Sequence, residues 1–109
     1  MENLTIGTIL VRLSKEPPTK ILKQGWDWEC SYRGDYYQLG LHIVQNVSIQ
    51  TMMDVLKRAI GHEYCGYKGG MYRMESNTEC YLIEEDRSSF CPQISDILLE
   101  YMIKDEVLK

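Results

Sequence analysis

The sequence predicts an α+β domain, a mainly antiparallel sheet of about five strands in the order strand, hairpin, helix, hairpin, helix, with two helices packed on it. Three observations predict it. Residues 26–32 and 36–44 alternate apolar and polar side chains on either side of a Gly34-Asp35 turn signal. Residues 48–60 carry apolar side chains at the three-and-four spacing of one helix face, and residues 92–102 do so again behind a proline. At 109 residues and 44% hydrophobic, one domain over residues 1–109 can bury a single core without disulfide staples.

The elements follow in order. Residues 4–13 are rich in Ile, Val, Thr and Leu and read as the first strand, which stops at Ser14-Lys15-Glu16-Pro17-Pro18 because proline withdraws the ladder donor. Residues 19–24 are a basic, mixed segment open to a short turn of helix or an ordered loop. In the first hairpin, a two-residue type II′ loop pairs Tyr32 with Tyr37, Cys30 with Leu39, Trp28 with Leu41 and Trp26 with Ile43. That register puts both tryptophans on the buried face, with a partner-facing aromatic patch as the alternative, and Asp27, Glu29, Ser31, Gln38 and His42 on the polar one.

Ser48 then caps a helix whose buried face is Ile49, Met52, Met53, Leu56 and Ile60, with an Asp54–Arg58 pair outside and Gly61 as its stop. Residues 64–74 and 79–85 form a second hairpin about Ser76-Asn77-Thr78, which aligns Met74 with Cys80 and Tyr72 with Leu82. The last helix begins near Pro92 and buries Ile94, Ile97, Leu98, Tyr101 and Met102.

The charge is uneven although the net value is only -4. Residues 1–74 hold nine Lys/Arg against seven Asp/Glu, whereas residues 75–109 hold three against nine, including Glu84, Glu85 and Asp86. An acidic surface steers a protein toward a basic partner, and no Lys/Arg stripe argues for direct binding of nucleic acid. There is no run of 18 apolar residues for a membrane and no secretory leader pattern, so a cytoplasmic protein with reduced thiols is expected.

Residues 62–74 crowd three glycines, three tyrosines and a His-x-x-Cys pair into thirteen positions. His62, Cys65, Cys80 and Cys91 are four ligands of the kind that hold a structural zinc, although only one close pair is present; ordinary buried or free cysteines are the simpler reading, with no cofactor. Cys91 near a helix start would need a base to act as a nucleophile, and the sequence brings neither His42 nor His62 to it. Gly66-Tyr67-Lys68-Gly69-Gly70 lacks the strand, loop and helix context of a phosphate cradle and reads as a glycine-rich bend. No nucleophile elbow or helical His pair is present, so the chain is expected not to be an enzyme. Tyr64, Tyr67, Tyr72 and Lys68 offer an aromatic binding surface instead.

The same stretch carries a resemblance. An amphipathic helix running into Gly-Tyr-Lys-Gly-Gly, then an aromatic, Met and Thr, resembles a module of small phage and prophage proteins over residues 47–85. Proteins of this size and acidity are similar to phage anti-defence factors, notably anti-CRISPR inhibitors of the type II RNA-guided DNA nuclease. The resemblance implies a stoichiometric inhibitor in the cytoplasm of a bacterial host. It would meet a basic effector surface through Tyr64, Tyr67, Lys68, Tyr72, Glu84, Glu85 and Asp86 and block nucleic-acid loading. The alternatives are a protein that sequesters a nucleotide signal, or a small zinc-stabilised domain of other function.

Overall fold

The computed structural model describes residues 4–31, 39–65, 71–83 and 93–107. The chain runs α1 (Ile6–Leu13), β1 (Ile21–Ser31), β2 (Leu39–Ser48), α2 (Ile49–Ala59), β3 (Glu63–Cys65), β4 (Met71–Arg73), β5 (Cys80–Ile83) and α3 (Asp96–Lys104). The class is α+β as expected, but the expected five-stranded antiparallel sheet is instead a three-stranded sheet of order β1-β2-β5 and a separate ribbon of β3 and β4.

Residues expected as the first strand form α1. Their β-branched content suits a strand, yet Thr5 caps a helix. The Thr5 side chain accepts from the Thr8 amide, and the Thr8 side chain accepts from the Thr5 amide at 2.8 Å. Ile6, Ile9 and Leu13 then share one buried face, so packing overrides propensity. The segment after α1 returns through Pro17 and Pro18, and β1 begins at Ile21 inside the stretch that carried no clear period.

β1 and β2 pair antiparallel with the predicted Trp26–Ile43 partners. Beyond them the ladder slips by one, and Trp28 lies opposite His42, Glu29 opposite Leu41 and Ser31 opposite Leu39. One extra residue in β1 exchanges the faces of everything that follows. Trp26 is fully buried, its indole N–H donating to the Met52 carbonyl at 3.0 Å, while Trp28, also expected in the core, faces solvent. The predicted turn at residues 33–36 lies outside the described residues.

The second predicted hairpin does not form. β4 turns back on β3, and the ribbon is extended by Gly61 N–H to Met74 O at 2.7 Å and Met74 N–H to His62 O at 3.1 Å. The turn at Ser76 and Asn77 exists, closed by Thr78, but it delivers β5 to β2 in parallel, Leu39 opposite Cys80 and Leu41 opposite Leu82. α2 and the ribbon together supply the long crossover that a parallel pair needs.

α2 matches its reading at both ends. The Ser48 side chain accepts from the Thr51 amide at 3.1 Å, and Gly61 takes φ +78 after the helix. Its buried face is Ile49, Met52, Val55, Leu56 and Ala59, while Ile60 is exposed. Arg58 pairs with Glu29 across to β1, and Asp54 accepts from Gln50, in place of the expected Asp54–Arg58 pair. β2 and α2 close so tightly on β1 at Gly25 that a Cβ there would lie 2.4 Å from Val47 Cγ1 of β2 and 2.7 Å from Met52 Sδ of α2.

α3 starts later than Pro92, with Ser95 as N-cap, and is rotated from the expected face. Leu99, Met102 and Ile103 are buried, and Ile97 and Tyr101 are exposed. It crosses the sheet from edge to edge. Ile94 N–H donates to Cys80 O on β5, and beyond the helix Val107 N–H donates to Ile21 O on β1, so both outer strands gain partners at these positions. All three helices and the sheet close on one core that includes Trp26, Leu39, Leu41, Met74, Cys80 and Ile94. Among the described residues no helix is long and apolar enough to cross a membrane.

Candidate functional site

The ribbon pairs two of the predicted tyrosine positions in backbone register. Tyr64 and Tyr72 are directly opposed register partners, next to the Glu63–Arg73 and Cys65–Met71 positions. Met71 and Arg73 are exposed. Tyr67, Lys68, Glu84, Glu85 and Asp86 lie outside the described residues, so the rest of that surface is not placed.

Of the candidate zinc set, the side chains of His62 and Cys80 are among those described. His62 is exposed at the mouth of the ribbon, whereas Cys80 is fully buried in the core with its thiol 3.9 Å from Thr78 O. Burial pushes the Cys80 thiol well above its ordinary pKa, with Glu79 adding to the effect. Among the described residues no group of three or more His, Cys, Asp or Glu could hold a metal ion. The Cys65 side chain and Cys91 are outside the described part.

The candidate feature that the expected register did not place at the surface is created by the slip in β1. Trp28 stacks face to face on His42, ring centroids 3.4 Å apart and planes within 5°, and remains 46% exposed. The row continues along the ladder, since His42 lies opposite Ile83, and Gly40 lies opposite Tyr81. Ile83 and Tyr81 are half-buried.

The same slip turns Glu29 inward, where its carboxylate receives Arg58 from α2 at 2.7 Å. This pair ties the end of α2 to β1 beside Trp28 and fixes the strand that presents the ring. An aromatic side chain held this way loses little freedom on binding, which favours contact with an apolar, aromatic or cationic group. The one signal in the sequence was the pair Trp26 and Trp28. Their spacing is that of a single face, and only the extra residue separates them.

Comparison with protein-family models, curated proteins and solved structures finds no match for this chain.

Proposed function

We propose that this protein is a non-catalytic binding protein of the phage anti-defence kind, which inhibits a larger nucleic-acid-handling effector by occupying one of its basic surfaces. The observation that carries the reading is Trp28. Trp28 is 46% exposed while stacked on His42, and Trp is among the residues most enriched in binding hot spots. The acidic balance of residues 75–109 supports a basic counterpart. The resemblance of the module at residues 47–85 favours the type II RNA-guided nuclease, whose guide and target lie in a positively charged channel.

The test is titration of the protein into cleavage assays with several type II effectors. Cleavage should stop near one equivalent for the target effector, and added salt should weaken the inhibition. Absence of binding and of inhibition across the panel would remove this reading.

The Trp28–His42 stack also supports a second reading, in which the protein sequesters a nucleotide signal by stacking on its base. A thermal-shift screen with cyclic and linear nucleotides separates the two. A stabilising nucleotide favours sequestration, and a flat screen beside a tight protein complex favours inhibition.

A further inference from the structure

α3 carries a second exposed apolar surface, which the proposed function does not use. Leu99, Met102 and Ile103 point into the core, so at about 100° per residue the outward side centres on Ile97, Tyr101 and Lys104. Ile97 is 64% exposed and Tyr101 67% exposed, although both belong to residue types that normally pack. Charge is ordered along this side, with Asp96 in the first turn and Lys104 in the last. Between them, Glu100 is held by Arg12 of α1, whose Nε and Nη2 both donate to its carboxylate.

We propose that α3 is a self-association surface, and that its occupant is a second copy of this chain packed antiparallel across a two-fold axis near the middle of the helix. Such an axis sets Ile97 of one copy against Tyr101 of the other, and Asp96 against Lys104, each twice. A parallel arrangement would oppose Asp96 to Asp96 and Lys104 to Lys104, so the order of charges selects the antiparallel one. Glu100 falls near the axis, where two copies would bring like charges together. Its ion pair with Arg12 removes that conflict. The face is thereby close to neutral and complementary to itself, which fits a second copy better than a basic foreign surface.

A helix of nine residues is only about 13 Å long, and the contact it offers is at the small end of specific interfaces. The dimer is therefore weak and exchanges with monomer as concentration changes.

Sedimentation of the full chain from about 10 µM to about 1 mM tests this, a span suited to a weak dimer. The wild type should shift reversibly from monomer to dimer. Tyr101→Lys and Ile97→Lys should stay monomeric with unchanged melting curves, because both positions are exposed. Asp96→Lys should weaken association about tenfold or more, and Asp96→Lys combined with Lys104→Asp should recover it, since the exchanged charges again meet their opposites. If the double variant melts early, the two lysine substitutions in the apolar pair decide alone.

A wild type that is monomeric at the highest concentration overturns the proposal. So does a dimer unaffected by Tyr101→Lys, or a folded double variant no better than the single one. If Tyr101→Lys abolishes binding to an effector while the wild type alone never dimerises, the face belongs to that foreign partner instead.

Discussion

Three residues set the local limits of this fold. Gly25 is required because Val47 of β2 and Met52 of α2 both close on the backbone of β1 there. Gly25→Ala forces its new methyl against Val47 and Met52, and should cost about 1–3 kcal/mol in chemical denaturation. Asn46 is the described non-glycine residue with positive φ, +57, near the end of β2. Asn46→Gly should be neutral or stabilising there, and Asn46→Val should lose at least about 1 kcal/mol, because a branched side chain meets its own backbone in that region. Cys80 is sealed and neutral. It should resist thiol reagents in the folded protein and react only on unfolding, which mass spectrometry of labelled protein can read.

At the scale of elements, the end of α1, the following turn, the C-terminal segment and α3 are joined by charge. Arg12 bonds Glu16 at 2.8 Å and also Glu100, and Lys20 bonds Glu16 at 3.0 Å and approaches Glu106 at 3.9 Å. The hydrogen bonds from Arg12 hold both Glu16 and Glu100 below the ordinary carboxylate value of 4.5, with Lys20 also lowering Glu16. Groups depressed in the folded state contribute stability that is present above the unfolded pKa and is lost as pH falls through the folded one. Arg12→Met should therefore lower stability by about 1 kcal/mol at neutral pH, the scale of partly exposed pairs. The gap between variant and wild type should close as pH drops below 4.5. A gap that stays constant across that range would mean that Arg12 acts through its apolar stem.

The elements also separate what could be read from what could not. α2 was legible because its evidence is local, in the Ser48 cap, the apolar period and the Gly61 stop. α1 was misread because Ile, Val and Thr suit either state, and the decision rests with Thr5, Thr8 and a core that exists only after folding. The slip in β1 leaves no mark in the sequence. An extra strand residue needs no special side chain, yet it reversed Trp28 and Glu29 and thereby made the candidate site. In α3 the apolar residues surround more of the helix than one face can use, so their period did not identify which side turns inward. The pairing of β5 with β2 is a contact across about forty residues, which no turn signal reports.

At the scale of the whole molecule, an acidic chain carries the Trp28 ring turned outward by the irregularity in β1. Trp28 contributes little to the core, so its removal should leave folding nearly intact and act on binding. The most direct test is a binding isotherm, at fixed salt, of wild type and Trp28→Ala with the effector that the wild type inhibits, alongside a melting curve for each. Trp28→Ala should lose at least tenfold in affinity, about 1.4 kcal/mol, with closely similar melting curves. Equal affinity for the two proteins would contradict it and would remove Trp28 from the binding surface.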